Sequence, residues 1–514
     1  MHPRKFVRDS VGFAMAQYVV RATLMLRGVI AARLLGPQLY GAWNAIQIMM
    51  DYGPLAPAGT QQGLDQMVPP RIVAGDPAAL ERVKRAALFN ICLLSGFFAL
   101  ACLVLERFGH SVMLKSWGAA GIGAAMICAV TTNLAYYQTS IMRSHGDITT
   151  ASGWMMIQGA VGGGLGLLLL PWLHGWGLLL GWTIGCLAAF VFSSVRSRRE
   201  APLSPAPFSE SFDLVQVGIP MFAYTASSQV MRNLDRLIIL RYVGTVDLGY
   251  YSLSVMALTF LLYLPDSVTY VIYPRLLKAY GESGRDAAAI REPVERTLQG
   301  TSVLVPFLCG LASLLAPTMV SLVLPKFTPG VGALRVLCFG AVALAYSNLA
   351  SIVMMTIGRQ VILMPTAIFG VGLYGVLDFA AVKLGFGITG VATATLIAYV
   401  INSAVMLSLA LAGIGDRPGR LFATLGRLFV PLALAIGLAF GLERWMPWGS
   451  SRVPATELMR LGLSLSAFAL VYAVCVRPLT RGMGLFQVIS EFNVPVLGRL
   501  MGRSGRGAPP REDE

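Results

Sequence analysis

The chain has 514 residues, of which 56% are hydrophobic and only 13% charged, with a mean hydropathy of +0.67. A soluble domain carries roughly 25% charged residues, so a water-soluble enzyme is excluded and the bilayer is the expected surround. The formal net charge of +15 would suit nucleic acid, but the basic residues concentrate on one side of the expected spans, the positive-inside pattern that encodes orientation, and no nucleic-acid partner is expected.

A membrane helix needs about 20 mostly apolar residues. Such runs predict about fourteen spans, near 10–32, 38–60, 86–106, 117–140, 148–171, 176–195, 211–240, 248–272, 299–324, 332–356, 361–383, 388–411, 421–441 and 458–476, in an all-α polytopic membrane protein with both termini cytoplasmic. The start, Arg4-Lys5 then Arg8, has the charge of a signal sequence. The next segment, however, carries Arg21 and Arg27 and ends without a convincing cleavage site, which reads as a retained first helix. That helix is followed by Arg33-Leu34-Leu35-Gly36-Pro37-Gln38-Leu39-Tyr40-Gly41. Pro54 and Pro57, near the end of span two, are expected to make it bend. The segments Pro69–Arg85 and Arg275–Arg296 have the spacing of amphipathic helices on the inner surface. In spans five and six, Gly159-x3-Gly163, Gly162-x3-Gly166 and the ladder Gly177, Gly181, Gly185 predict close helix packing, with sliding of one helix on another as the alternative.

Arg241-Tyr242-Val243-Gly244-Thr245-Val246-Asp247-Leu248-Gly249 repeats the earlier phrase, and Val68-Pro69-Pro70-Arg71 returns as Ile272-Tyr273-Pro274-Arg275. Two similar halves of several helices each are a common transporter plan, with the substrate path between them. The expected domains are 1–196, an N-terminal lobe of helices 1–6; 197–209, a cytoplasmic Pro-rich linker; 210–413, a C-terminal lobe of helices 7–12; 414–477, helices 13–14; and 478–514, a cytoplasmic tail in which 485–501 could lie on the membrane surface. The seven cysteines are scattered singly, so neither a metal site nor a disulfide framework is expected. There is no GxxxxGK[ST] loop and no hydrophilic stretch of domain size. Direct ATP hydrolysis, a catalytic residue and a cofactor are therefore not expected.

Charge inside the membrane is the sharpest signal. An Arg at the bilayer centre costs roughly 2.5–3.5 kcal/mol, so Arg21 and Arg27 in span one and Arg232 and Arg236 in span seven must face protein, water or a ligand. Aligning the repeats sets Arg27 opposite Asp235 and Arg21 opposite Gln229. Asp235 and Arg236 suit either an internal ion pair or a coupling role. Arg21 and Arg27 have no acid within their own span; Asp51 on span two is one candidate partner, and an anionic ligand, phosphate above all, is the other. The candidate substrate-binding set is Arg21, Arg27, Arg232, Gln17, Tyr18, Ser228 and Gln229, with Asp51, Asp235 and Arg236 as coupling or ion-pair residues. Asp266 and Asp378 are further carboxylates that could carry a coupling proton or simply pair with polar neighbours.

The pattern Arg27-x5-Arg33-Leu34-Leu35-Gly36-Pro37-x2-Tyr40-Gly41 resembles the opening of the polysaccharide (O-antigen, Wzx-type) flippases. Leu234-Asp235-Arg236-Leu237-x3-Arg241-x2-Gly244-x4-Gly249-x-Tyr251 is similar to the start of their second half, and Pro325-x3-Pro329, Leu334-Arg335-Val336-Leu337 and Gly358-Arg359-Gln360 also match. The resemblance extends to about residue 410. It implies the multidrug/oligosaccharidyl-lipid/polysaccharide exporter superfamily: two pseudo-symmetric six-helix lobes around a V-shaped central cavity, plus two C-terminal helices. The related lipid II flippase has cavity arginines on its first helix at the spacing of Arg21 and Arg27. Span two lacks that flippase's Arg and offers only Asp51 and Pro54, which favours a different lipid-linked glycan.

The function implied is movement of a polyprenyl-diphosphate-linked oligosaccharide to the periplasmic leaflet of the bacterial inner membrane by alternating access, with the polymerase and chain-length machinery of surface polysaccharide synthesis as further partners. A cation-coupled drug exporter of the same superfamily is the alternative, disfavoured if the cavity is net positive. A membrane-embedded polymerase or ligase would need a long outer loop, which the spacing of the spans does not leave. A scaffold in an assembly complex stays open.

Overall fold

The computed structural model describes residues 3–108, 112–145, 148–196, 208–415, 418–445 and 454–477, with side chains from residue 20 onward except 21 and a few at helix ends. The expected linker, the tail and its surface helix, His2, His110 and the side chains of Gln17, Tyr18 and Arg21 lie outside the described residues.

The described elements are helical: α1 (Pro3–Tyr52), α2 (Thr60–Ala74), α3 (Pro77–Phe108), α4 (Val112–Ser144), α5 (Ile148–Ile157), α6 (Gly163–Leu173), α7 (Gly175–Arg196), α8 (Phe208–Tyr242), α9 (Thr245–Glu282), α10 (Arg291–Val323), α11 (Val331–Leu337), α12 (Gly340–Thr356), α13 (Leu363–Lys383), α14 (Gly387–Gly413), α15 (Pro418–Trp445) and α16 (Pro454–Val476). Several are parts of one pass, so the described residues make 14. Ten are long and apolar enough to cross a bilayer, or 11 if the pair bent by 43° at α11–α12 is one span, and the protein is a multi-pass membrane protein. α1 is two helices divided at Gly36 (φ 71°, ψ 174°). Glycine takes this left-handed φ without a Cβ clash, and Pro37 begins the next helix with its φ already set.

Span two is broken rather than merely bent. After Tyr52 comes a single turn, Gly53–Leu55, then Ala58 and Gly59 at φ 45° and 92°, then α2. The freed Gly53 carbonyl accepts from Asn133 Nδ2 at 3.0 Å; the same amide reaches Ser95 Oγ at 2.9 Å, and Gln61 Nε2 donates to the Asn133 carbonyl at 3.3 Å. The two expected surface helices are instead the ends of membrane helices. α2 runs to Ala74, turns at Gly75, and α3 begins at Pro77 with Asp76 Oδ1 accepting from Ala79 N at 2.9 Å. Likewise α9 runs to Glu282 and α10 starts at Arg291, laced by Arg291–Glu295 and Arg296–Glu292 pairs.

The helices form two compact units. One comprises Met1–Phe260, Ala316–Gly340 and Arg359–Asn402. In it the two copies of the repeated phrase meet. A methyl on Gly41 would strike the Thr245 carbonyl and stand 3.0 Å from the Gly249 nitrogen; one on Gly249 would strike the Pro37 carbonyl and stand 3.2 Å from the Gly41 nitrogen. The contact is thus reciprocal, backbone on backbone. Phe327, 1% exposed, closes it edge-on between Tyr40 and Tyr250 at 5.9 and 6.1 Å. The glycine ladders also pack backbone on backbone: Gly181 faces Gly166, and a methyl on Gly185 would stand 2.6 Å from Gly162 Cα.

The other unit comprises Leu261–Leu315, Ala341–Gly358 and Ser403–Glu514. Here α15 and α16 are held by buried tyrosines: Tyr346 Oη donates to Leu428 O at 2.8 Å and Tyr472 Oη to Val303 O at 2.9 Å. Phe468 stacks between Phe307 (6.0 Å) and Tyr472 (5.7 Å). Asp266 accepts from Asn348 Nδ2 at 3.0 Å.

Candidate functional site

Within the first unit a cavity of about 530 Å³ is lined by residues of α1, α2, α4, α5, α7 and α8. Arg27 is its most distinctive residue. The side chain is 7% exposed, and its Nη1 has no hydrogen-bond partner among the described residues. The guanidinium lies 4.8 Å from the Trp182 ring centre and 5.5 Å from that of Trp43. Each such cation–π contact is worth roughly 0.5–2 kcal/mol, so the pair offsets much of the ~3 kcal/mol of placing an arginine in the membrane. Stacking uses the guanidinium's faces and leaves its N–H edge, five donors in all, for something else. α1 comes close enough to place it there because Gly159 carries no side chain: a methyl on it would stand 2.6 Å from Val20 Cγ1, whereas Gly163 lies beside Arg27 with room for an ordinary 3.9 Å contact to Cδ.

Asp51 and Gln229 also line the cavity, and Gln229 Nε2 donates to the Asp51 carbonyl at 3.2 Å. Asp51 does pair with an arginine, but with Arg236, at a long 3.9 Å. Asp235 is buried elsewhere. One oxygen accepts from Tyr251 Oη at 2.7 Å and the other from the Arg236 backbone N at 2.8 Å. Of the two residues expected to form an internal ion pair, Arg236 does so, with Asp51, while Asp235 is held by hydrogen bonds. Ser228 and Arg232, on the same helix as Gln229, are not among the lining residues, and Arg232 is exposed. Asp378 is fully buried: Oδ1 accepts from Thr395 Oγ1 at 3.0 Å, while Oδ2 has no partner among the described residues. Asp378 lies close enough to Asp235 to feel its charge.

The described lining charges balance, with Arg27 and Arg143 against Asp51 and Asp65, so among the described residues the cavity is not net positive as expected. What distinguishes it is pairing. Asp65 holds Arg143 at 3.2 Å and accepts from Ser140, Asp51 holds Arg236, and Arg27 is left with aromatic faces. The sequence reading passed over Trp43, Tyr136, Trp154 and Trp182. A tryptophan far from both ends of a span, where the interfacial aromatic belt does not explain it, is the signal that would have found Trp182.

A family profile described as "Polysaccharide biosynthesis protein" matches residues 30–327. The chain belongs to this family. No curated protein matches the sequence. Among solved structures, the family member is similar to "Lipid II flippase MurJ, inward closed conformation" at 14% identity and TM-score 0.68, covering 91% of this chain and 99% of that one. It is also similar to an inward-facing multidrug resistance MATE family transporter of the MOP superfamily, at 17% identity and TM-score 0.61, covering 80% and 99%. A MOP superfamily transporter from Pyrococcus furiosus, whose title speaks of a binding pocket of reverse polarity, gives 16% identity and TM-score 0.56 over 81% and 96%. At these identities the likeness establishes the fold.

Proposed function

We propose that this polysaccharide biosynthesis family member is a flippase that carries a polyprenyl-diphosphate-linked oligosaccharide from the cytoplasmic to the periplasmic leaflet of a bacterial inner membrane, for O-antigen, capsule or exopolysaccharide synthesis. A diphosphate-sugar head cannot cross about 30 Å of hydrocarbon unaided, because each unsatisfied polar group costs several kcal/mol. Arg27 carries the reading: a buried cation in a cavity, held by two indole faces, with its Nη1 unpartnered among the described residues and a guanidinium fork of the shape that grips phosphate oxygens two at a time. Arg21, six residues earlier on the same helix, would extend the anion site. The lipid tail stays in the bilayer while the head crosses, and the halves rock around it. Asp378, buried with one oxygen open, and its neighbour Asp235 are the carboxylates through which a coupling proton would act.

The test is a set of Arg27 variants in the polysaccharide-producing cell, reading surface polysaccharide, lipid-linked intermediate and protein level in the membrane. Losing one charge-assisted contact costs about 1.5–3 kcal/mol, so Arg27→Ala should weaken binding roughly ten- to a hundredfold and make intermediate accumulate at normal protein level. Arg27→Lys should recover part of the loss and Arg27→Glu should be worst. Normal export from a well-expressed Arg27→Glu protein would refute the reading, and altered drug susceptibility without any glycan phenotype would replace it with the exporter alternative.

A further inference from the structure

The wall of the cavity that Arg27 lines also carries Thr132, Tyr136, Ser140 and Arg143 from α4, Trp154 from α5 and Gln158 from the π-helical turn that follows it. Spacings of three and four residues put each set on one helix edge. Tyr136 is the open ring of this wall. It is partly exposed, and Trp154, almost fully buried, holds it edge to face at 4.9 Å and 73°. Thr132 and Gln158 spend their donors on a single sulfur: Thr132 Oγ1 lies 3.8 Å and Gln158 Nε2 3.1 Å from Cys186 Sγ. Sulfur is a weak acceptor, so an oxygen brought alongside would be the better partner for both. The wall is also in line with the anion site. Trp154 to Gly163, which lies beside Arg27, spans about 13 Å at 1.5 Å per residue.

We infer that this wall is a saccharide subsite: Tyr136 stacks on the apolar face of a sugar ring, Trp154 fixes the tyrosine ring, and Thr132 and Gln158 bind the sugar's hydroxyls. The inference rests on the reading that Arg27 holds the diphosphate, since a glycan joined there runs along this wall. An aromatic platform flanked by neutral hydrogen-bonding groups suits an uncharged or weakly charged sugar.

Two probes separate the subsites on the purified full-length protein: undecaprenyl diphosphate, and the same lipid carrying one N-acetylhexosamine or hexose. Wild type should bind the sugar-bearing probe more tightly. Loss of a stacked ring contact corresponds to about a three- to tenfold change. Tyr136→Ala should therefore weaken the sugar-bearing probe by that factor and leave the bare diphosphate unchanged, and Tyr136→Phe, which keeps the ring and folds alike, should restore most of the difference. Arg27→Ala should weaken both probes. Equal affinity of wild type for the two probes, or equal losses on both in Tyr136→Ala, would overturn the subsite. If Arg27→Ala changes neither probe while Tyr136→Ala still removes the preference for sugar, the diphosphate reading falls and the saccharide subsite stands. Should Tyr136→Ala fail to fold, Thr132→Val and Gln158→Met decide: unchanged preference for the sugar-bearing probe in both would overturn the proposal.

Discussion

Gly249→Ala probes the contact that the repeated phrase builds. The new methyl would stand 2.9 Å from the Pro37 carbonyl carbon and nearer still to its oxygen. That neighbour is backbone in a helix and cannot swing aside as a side-chain tip can, so the two helices must part by roughly an ångström, and overpacking of this kind costs about 1–3 kcal/mol. Alanine is otherwise a better helix former than glycine by about 1 kcal/mol. Gly437→Ala, on α15 where a methyl meets nothing within 4 Å, is therefore the proper reference, and the predicted 1–3 kcal/mol is the difference between the two variants in unfolding of the detergent-solubilised protein. Gly41→Ala should lose a similar amount against the Thr245 carbonyl. Because the contact is reciprocal, the double variant should lose less than the two singles together by at least about 0.5 kcal/mol: once one methyl has parted the helices, the second enters a gap. Strict additivity, or a Gly249→Ala protein as stable as the Gly437→Ala reference, would refute the reciprocal contact.

Two further substitutions separate structure from transport. Asn133→Leu should lower the unfolding free energy by about 1–3 kcal/mol, since it strands the Gly53 carbonyl at the break in span two and takes the amide from Ser95 as well, while the backbone bond from Gln61 stays; a loss under 0.5 kcal/mol would mean that water replaces it. Asp378→Asn removes a buried charge beside Asp235 while keeping the hydrogen bond from Thr395, so the protein should fold at least as well as wild type, yet flipping in proteoliposomes should lose its response to an imposed pH or ion gradient. A retained gradient response would take Asp378 out of the coupling reading.

Much of the fold was legible because the bilayer makes composition speak: long apolar runs gave the passes, and the repeated phrase marked two similar halves, though not that its glycines meet backbone on backbone. Helix ends were less legible. Charged stretches such as Arg275–Arg296 look alike whether they lie on a membrane or continue a span past it, and nothing local distinguishes them. Pro54 and Pro57 announced a bend, but the break depends on Asn133, which is far away in sequence and buries its amide against Gly53. In the site, Arg27 stood out through the cost of burying it. Its companions did not: the place of Trp182 inside its span is a signal of a kind, but only packing shows that it and Trp43 face one guanidinium. The pairing of Asp51 with Arg236, and of Asp235 with Tyr251, was equally out of reach, since one arginine and several carboxylates allow many partners on paper.

The register that lays Gly41 on Gly249 also lays Arg27 on Asp235 and Trp43 on Tyr251. Within each half the two residues are in contact: Arg27 is a cation on the Trp43 indole face, and Asp235 is a carboxylate accepting from the Tyr251 phenol at 2.7 Å. Duplication has thus kept the geometry and inverted the charge. The contacts between the halves are constrained to stay alike, because two backbones meeting across a pseudo-two-fold must each be free of side chains, and Gly41 and Gly249 are. The polar positions behind them carry no such constraint. A carrier driven by a cation and loaded with a diphosphate needs one lobe to hold negative charge and the other to hold positive charge, and it gains nothing from two equal sites. On the proposed function, the Arg27–Trp43 and Asp235–Tyr251 pairs are one ancestral position put to these two uses, so exchanging the charges at 27 and 235 together should preserve the total charge and still abolish transport.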